Sequence, residues 1–325
     1  MSEMRWNPLL EEWVVTATHR QERTFFPPPD YCPLCPTKPG GFPTEIPASD
    51  FQIVVFENKF PSFRRNPPPP EVESYDIMEA APAEGICEVV VYTPQHVGTL
   101  TEQPVEAIDR LIWVWTHRTR ELGDCPEVQY VLVFENKGQE IGVTLSHPHG
   151  QIYGFPFIPP VPSRELAAHE RHMERTGRCL LCDVLKAEQA HGERITVENQ
   201  DFTAVVPFYA RYPYEVHVIA RRHVQSLPDI TREERWSLAR LLKTVMEQYD
   251  ALYGFPLGYM MVLHQAPTDG KPHTSYHFHI EFYPLRRSAD KLKYRASCES
   301  GAGTFITDGL AEDWAARLRG EVDGD

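Results

Sequence analysis

The chain has no apolar segment long enough to cross a membrane, and it has no excess of basic residues. None of its 325 residues falls in a run of about 18 apolar residues, the length that a membrane-spanning helix requires. The formal net charge is -14, from 46 acidic and 32 basic residues. This balance argues against nucleic acid or an anionic membrane as a partner. An anionic small molecule would need locally placed arginines and lysines instead.

Cysteine is scarce and odd in number, with seven residues in all. Four of them form two Cys-x-x-Cys pairs, Cys32 with Cys35 and Cys179 with Cys182. In a reducing compartment such pairs favour metal ligation over disulfides. Residues 1–13 have no basic start followed by an apolar segment, so no secretory signal is predicted. We therefore expect a soluble, cytoplasmic protein.

The most informative motif is Ser-His-Pro-His-Gly-Gln at residues 146–151. In an extended segment, side chains two residues apart leave the backbone on the same side, so His147 and His149 should be neighbours. One can then act as an anchor while the other attacks phosphorus, with its second ring nitrogen held by an acceptor. Gly150 is expected to let a phosphate approach the backbone, and Gln151 to donate a hydrogen bond to a phosphoryl oxygen. The alternative is a pair of structural histidines near a turn.

Runs of β-branched and aromatic residues predict several strands in each half of the chain. The predicted strands cover residues 51–56, 88–92 and 130–134 in the first half, and 202–206, 215–219, 259–263 and 276–283 in the second. Helical periodicity predicts one main helix in each half, over residues 105–122 and 232–253. Each half therefore combines strands with one long helix.

The order of landmarks repeats along the chain. A Cys-x-x-Cys pair, a strand, a histidine, a helix, a further strand and a His-x-His segment follow one another twice. An internal duplication is the simplest account. The proline-rich segment at residues 155–162 is a plausible link. We therefore predict an α+β protein of two similar domains, residues 1–160 and 161–325, each a mainly antiparallel sheet with a covering helix.

The first half carries two thiols and two imidazoles that suit tetrahedral zinc: Cys32, Cys35, His96 and His147. This site would make His147 the anchor and leave His149 as the reacting group.

The second half allows two ligand sets. The duplication predicts a second zinc on Cys179, Cys182, His223 and His277. A competing set of one carboxylate and three imidazoles suits zinc or iron: Glu165, His264, His277 and His279. His277 cannot easily serve both, so the two sets remain alternatives.

Taken together, these residues resemble the galactose-1-phosphate uridylyltransferase family of the histidine triad superfamily, whose members are built from two related halves. The resemblance covers nearly the whole chain. It rests on residues 5–9, 12–15, 19–23, the first Cys-x-x-Cys pair, 134–138, 147–151 and the tail around Lys293. Glu-Asn-Lys-Gly followed by His-Pro-His-Gly-Gln at this spacing is highly specific. The resemblance implies histidine-triad-like halves and favours the second-half metal set that contains Glu165.

The resemblance also implies a reaction in galactose metabolism. His149 would attack the α-phosphorus of UDP-glucose, and glucose 1-phosphate would leave. Galactose 1-phosphate would then attack the uridylyl-histidine, giving UDP-galactose in a ping-pong mechanism. A phosphorus–nitrogen bond keeps the intermediate reactive, so the exchange can run in both directions.

Several substrate contacts follow from the same resemblance. Gln151 would hydrogen-bond the uridylyl phosphate, Asn136 and Thr144 would contact phosphate oxygens, and Asn58 would face the uridine.

Two further groups of residues complete the implied site. Lys293, Tyr294 and Glu299 occupy the nucleotide- or sugar-binding tail. Arg20 and Arg23 resemble arginines that reach the neighbouring subunit's site, which implies a homodimer.

Two other functions compete with this interpretation. An adenine-nucleotide phosphorylase or adenylyltransferase on the same scaffold would differ in the base pocket around Asn58 and Phe60. A non-catalytic, zinc-stabilised nucleotide-binding protein would have no need for the phosphate-facing amide of Gln151 beside His149.

Overall fold

This computed structural model describes residues 2–23 and 31–322, and for residues 21–23 it describes the backbone alone. Fourteen strands and six α-helices lie in these residues. The strands are β1 Ser2–Asn7, β2 Glu12–Ala17, β3 Val54–Glu57, β4 Ala80–Pro82, β5 Ile86–Val91, β6 Tyr130–Lys137, β7 His149–Phe155, β8 Ile195–Glu198, β9 Phe202–Val205, β10 Val216–Ala220, β11 Tyr259–His264, β12 His279–Pro284, β13 Arg286–Ser288 and β14 Lys291–Leu292. The helices are α1 Val105–Gly123, α2 Pro160–Thr176, α3 Leu180–His191, α4 Arg232–Leu252, α5 Ser297–Gly301 and α6 Ala311–Leu318. These six helices are each too short or too polar to span a bilayer.

Nine of the strands form one antiparallel sheet in the order β3-β5-β7-β6-β11-β12-β10-β9-β8. The first four come from the first half of the chain and the other five from the second. The halves meet where β6 pairs with β11, from Lys137 opposite Tyr259 to Phe134 opposite Val262. The predicted α+β class with mainly antiparallel halves is confirmed, and the two halves share a single sheet.

Both long helices lie on one face of this sheet. Helix α4 begins with a capping box, because the Thr231 hydroxyl accepts from the Glu234 amide at 3.2 Å and the Glu234 carboxylate accepts from the Thr231 amide at 2.7 Å. Arg235 of α4 donates to Asp109 of α1 at 2.8 and 3.0 Å. The apolar faces of both helices pack with the sheet in one continuous core. The opposite face of the sheet is therefore available to the histidine motifs.

Three features differ from the sequence prediction. Helices α2 and α3 were not predicted, and Cys179 is the N-cap residue of α3. The strand predicted from residue 276 begins only at His279, because residues 276–278 form an irregular segment that leads His277 towards the cysteines. Strand β7 was also not predicted; it begins at His149, and His147 lies in the irregular segment before it.

Candidate active site and metal centres

The His149 imidazole is held by the backbone of its own motif. Its Nδ1 lies 2.7 Å from the carbonyl oxygen of His147. A carbonyl can only accept, so Nδ1 carries the proton and the lone pair of the neutral ring is on Nε2. This tautomer suits a nitrogen nucleophile.

Two residues orient the amide of Gln151. Its Oε1 accepts from Asn58 Nδ2 at 3.4 Å and from the Tyr153 hydroxyl at 3.2 Å. With the oxygen occupied by two donors, the NH2 group points away from them and can donate to a ligand. Tyr153 was not singled out from the sequence, although it lies on the same strand face two residues after Gln151.

Gly150 serves a purpose that the sequence did not indicate. A Cβ at this position would lie 2.0 Å from the Tyr92 hydroxyl and 3.0 Å from the Phe134 carbonyl oxygen. Tyr92 packs against Trp115 of α1, on the helix-covered face. Since neighbouring residues of a strand face opposite sides, Gly150 makes room for the core, whereas His149 and Gln151 face the other way. The structure therefore gives this glycine a role in packing, and its expected approach to a phosphate stays a prediction.

Two cavities meet at His149. The larger, of 440 Å³, is lined by Asn136 and by residues 143–149. The smaller, of 360 Å³, has apolar walls that include Leu34, Phe56 and Phe60, together with Asn58 and Gln151. Thr144 and His149 line both cavities. The imidazole is therefore placed between two spaces of the size that small-molecule ligands occupy.

The smaller cavity also has an ion pair that sequence reasoning missed. Lys59 Nζ lies 3.0 Å from Glu45 Oε1, and both residues line the cavity. The pair joins positions 14 residues apart on separate loops, so no local pattern signals it.

The first candidate metal group brings together Cys32, Cys35, His96 and His147, with one ligand atom from each within 4.8 Å of the others. His147 Nδ1 lies 3.8 and 3.6 Å from the two thiols, and His96 Nδ1 lies 3.5 Å from Cys35 Sγ. Ligands around tetrahedral zinc are separated by about 3.5 Å, so the group fits a metal. His147 Nε2 donates to the Thr93 carbonyl at 2.8 Å, the outer hydrogen bond that metal-bound histidines usually make.

The second half repeats this arrangement with Cys179, Cys182, His223 and His277. His277 Nδ1 lies 3.4 and 3.3 Å from the two thiols, and its Nε2 donates to the Ala220 carbonyl at 2.9 Å. Burial lowers the pKa of His277 to about 3, so the ring is neutral, as a metal ligand must be. His223 Nδ1 is buried without a hydrogen-bond partner. A metal ion would satisfy that nitrogen.

The structure separates the two ligand sets that the sequence left as alternatives. Glu165, His264 and His279 lie close together in a group of their own. His277 is not part of it, because both of its ring nitrogens are directed at the cysteines and at Ala220. The structure therefore brings three members of the four-residue set together and places the fourth, His277, with the cysteines. Glu281 instead contacts His264 and His279, at 3.5 and 3.4 Å, and its position two residues after His279 matches that of Gln151 after His149.

The remaining predicted site residues lie away from the two cavities of their own chain. Arg20 donates to the Ser62 hydroxyl. The Arg23 side chain is outside the described residues. Lys293 donates to the Ile306 carbonyl and lies 3.6 Å from Glu299. The described cavity linings include none of these residues.

Tyr294 differs from its neighbours in the tail, since it is 75% exposed. The Tyr294 ring therefore lies on the surface of the chain. The hydrogen bond from Lys293 to the Ile306 carbonyl holds the tail in place.

Comparison with known proteins assigns the family. Residues 1–159 match the N-terminal domain of galactose-1-phosphate uridyl transferase, and residues 165–319 match its C-terminal domain. The chain belongs to the galactose-1-phosphate uridyl transferase family. A family relative, the galactose-1-phosphate uridylyltransferase of Thermotoga maritima, is 40% identical over 320 residues, which cover 98% of each chain.

Solved structures agree with this family assignment. A uridylyltransferase structure superposes with a TM-score of 0.87 at 36% identity, covering 98% of this chain and 97% of the other. An ADP-glucose phosphorylase from Arabidopsis thaliana has a TM-score of 0.74 at 23% identity, covering 98% of each chain. This second likeness shows that the fold of the galactose-1-phosphate uridyl transferase family is shared by that protein.

Proposed function

We propose that this chain is an enzyme that transfers UMP from UDP-glucose to galactose 1-phosphate through a uridylyl group carried on His149. The hydrogen bond from His149 Nδ1 to the His147 carbonyl carries this proposal, because it directs the lone pair of the ring to Nε2. Family membership supplies the substrate class.

The chemistry follows from the geometry. The Nε2 lone pair forms a bond to the α-phosphorus of UDP-glucose, and the bond from that phosphorus to the bridging oxygen breaks. Glucose 1-phosphate leaves with the electron pair. The NH2 group of Gln151 donates to a non-bridging oxygen as its negative charge grows. A phosphate oxygen of galactose 1-phosphate then forms a bond to the same phosphorus, and the bond from phosphorus to Nε2 breaks. The electron pair returns to Nε2, UDP-galactose leaves, and the neutral imidazole is restored.

The two cavities suit the two ends of the substrate. The smaller cavity, with Asn58 and apolar walls, would take the uridine, and both Gln151 and His149 line it. Asn136 and Thr144 line the larger cavity, where they would contact phosphate oxygens next to the sugar. The reacting phosphorus would lie between the two, at the imidazole.

We propose zinc as the metal of both groups built from two cysteines and two histidines. Bound zinc would stabilise two thiolates and fix two imidazoles at each site. In the first half, this fixes His147, whose carbonyl orients His149. The metal therefore has a structural role, while the reacting phosphate stays with His149 and Gln151. The two halves, residues 1–160 and 161–325, would each be organised around one metal.

A homodimer would supply the positive charge that the cavities lack. The two lysines among the described lining residues are both paired with carboxylates: Lys59 with Glu45 at 3.0 Å, and Lys137 with Asp250 at 3.0 Å. A nucleotide sugar brings two negative phosphates to this place. Arg20, Arg23 and the tail with Lys293, Tyr294 and Glu299 would come from a second copy. We place the protein in the cytoplasm, where the cysteines stay reduced.

Intact-mass measurement tests the proposed function. After incubation with UDP-glucose alone, the purified chain should gain one uridylyl group, and peptide mapping should place it on His149. Galactose 1-phosphate should then discharge the adduct and yield UDP-galactose. An adduct with ADP-glucose and none with UDP-glucose would assign the chain to adenine nucleotides. No adduct with either would leave a nucleotide-binding protein.

Gly150→Ala should slow formation of the uridylyl adduct about 100-fold or more. A Cβ at this position would lie 2.0 Å from the Tyr92 hydroxyl, so strand β7 must shift at the residue between His149 and Gln151. Stopped reactions with UDP-glucose, followed by intact mass, measure this rate. The double variant Gly150→Ala/Tyr92→Phe removes the colliding oxygen and should recover part of the rate. If the double variant is no faster than Gly150→Ala, the collision is not the cause.

A further inference from the structure

A second cluster of buried, ionisable side chains lies on the sheet face of the second half, next to the proposed second zinc. It contains three carboxylates and three cations that pair with one another: Glu165, Glu215 and Glu281, with His264, His217 and Arg211. Family resemblance favours a metal ion on Glu165, His264, His277 and His279, a set that shares Glu165 and His264 with this cluster. The hydrogen bonds and charges decide whether a metal ion fits there.

Each of the two histidines is paired directly with carboxylates. His264 Nδ1 lies 2.8 Å from Glu165 Oε2, which also accepts from the Tyr276 hydroxyl at 2.8 Å. His217 Nε2 lies 2.8 Å from Glu215 Oε1 and 3.1 Å from Glu281 Oε1. These contacts are charge-assisted hydrogen bonds of ordinary length.

Arg211 completes the pairing from the loop before β10. Its Nη2 donates to Glu281 Oε2 at 3.0 Å and lies 3.4 Å from Glu215 Oε1. Glu281 also accepts from the Tyr283 hydroxyl. Glu215 accepts from the backbone amides of residues 211 and 212 at 2.6 and 2.9 Å. The oxygens that a metal would need on Glu281 are therefore shared between an arginine, a histidine and a tyrosine.

The charged partners in the cluster favour the ionised forms of Glu165, His264 and His217. Although burial opposes a charge on the ring, Glu165 and Glu281 raise the pKa of His264 to about 9. Burial also opposes a charge on Glu165, yet His264 lowers the pKa of this carboxyl group to about 2. The pKa of His217 is also raised against burial, by Glu281 and Glu215. When the three carboxylates are ionised and the two histidines and Arg211 are protonated, the cluster has no net charge for a cation to neutralise.

The ion cluster differs from the nearby group of Cys179, Cys182, His223 and His277 in whether its buried polar atoms have hydrogen-bond partners. There, His223 Nδ1 is buried and has no partner. In the ion cluster, no buried side-chain nitrogen or oxygen of the six residues lacks a hydrogen-bond partner within the described chain. A divalent cation between Glu165 and His264 would have to replace the Nδ1 proton that joins them. A cation on Glu281 would have to displace Arg211 or His217, which would leave a buried charge without a partner.

We infer that this cluster is a metal-free ion network, and that the chain binds two metal ions, one in each group of two cysteines and two histidines. The network would hold β10, β12 and α2 together in the second half without a metal. This inference is independent of the uridylyl transfer proposed above.

Metal stoichiometry tests the inference. The full chain is incubated with excess zinc or with excess iron(II) under reducing conditions, desalted, and measured by plasma mass spectrometry and native mass spectrometry. We expect two metal ions per chain after incubation with zinc and also after incubation with iron(II). Three ions, with the third lost in Glu165→Gln, would overturn the inference. Cys182→Ser should reduce the count to one, and Glu165→Gln should leave it at two.

A second test uses a variant that is expected to bind one more metal ion than the unmodified chain. Arg211→Met removes one positive charge and uncovers an oxygen of Glu281, so this variant should bind a third ion that the unmodified chain does not bind. Arg222→Met is the matched control, because Arg222 pairs with Glu234 outside the cluster, and it should keep two. A count of two in folded Arg211→Met would refute the charge-balance argument. The count for the unmodified chain decides the inference even if Arg211→Met does not fold.

Discussion

His149→Asn is expected to abolish uridylyl transfer, with a fall in rate of at least about 10⁴-fold, because the variant has no ring nitrogen to form the covalent intermediate. Asparagine is polar and can still donate to the His147 carbonyl, so the strand start should keep its conformation. The rate of UDP-galactose formation and the intact mass after UDP-glucose measure the loss. No uridylyl adduct should form.

Binding and metal content separate lost chemistry from lost structure. His149→Asn should bind UDP-glucose and retain both metal ions. His279→Asn is the matched control, because His279 makes the same bond to the carbonyl two residues before it, at 3.1 Å. His279 is only 4% exposed and lies 3.4 Å from the Glu281 carboxylate, so a phosphate cannot reach it. An adduct that persists in His149→Asn and disappears in His279→Asn would reverse the assignment of the nucleophile.

Cys35→Ser should remove the metal of the first half and lower both stability and activity. Cys35 Sγ lies near both His96 and His147, so its loss leaves two imidazoles without their shared partner. Structural zinc sites contribute folding free energy directly, and we expect a fall in Tm of about 10 °C or more. The rate should fall about 100-fold or more, because the His147 carbonyl no longer holds His149 in place. Thermal unfolding, metal content and adduct formation measure the three effects.

Two other cysteines provide the comparison. Cys298 is exposed and belongs to neither metal group, so Cys298→Ser should match the unmodified chain in all three measurements. Cys182→Ser should lose the second metal and some stability, yet it should form the adduct faster than Cys35→Ser does, because His149 keeps its anchor. Equal rates in Cys35→Ser and Cys182→Ser would show that the first metal has no special role in orienting the nucleophile.

The sequence was sufficient to predict the features that depend on residues close together in the chain. The spacing of His147 and His149, the two Cys-x-x-Cys pairs and the repeated landmarks predicted two related halves, and helical periodicity located both long helices to within one residue at each end. These features are encoded by residues close together in the chain, so composition and spacing reveal them. The family motif at residues 147–151 likewise lies within one short segment.

Other features depend on atoms that only folding brings together. Pairing of β6 with β11 joins the halves into one sheet, and no pattern within either strand specifies that partner. The amide of Gln151 is oriented by Asn58, 93 residues away, and Gly150 is required by the hydroxyl of Tyr92, the residue that follows the neighbouring strand β5. Sequence order alone could not show such contacts, since each depends on the position of a single distant atom.

The second half shows most clearly what each level determines. Its sequence supplies enough cysteine, histidine and glutamate for two overlapping metal sites, and by residue type both are chemically reasonable. The tertiary structure turns His277 towards Cys179 and Cys182 and surrounds Glu281 with Arg211 and His217. Sequence thus determined which ligands are available. Folding decided how they are used, because the direction of a ring nitrogen and the charge beside a buried carboxylate are set by neighbours from distant strands.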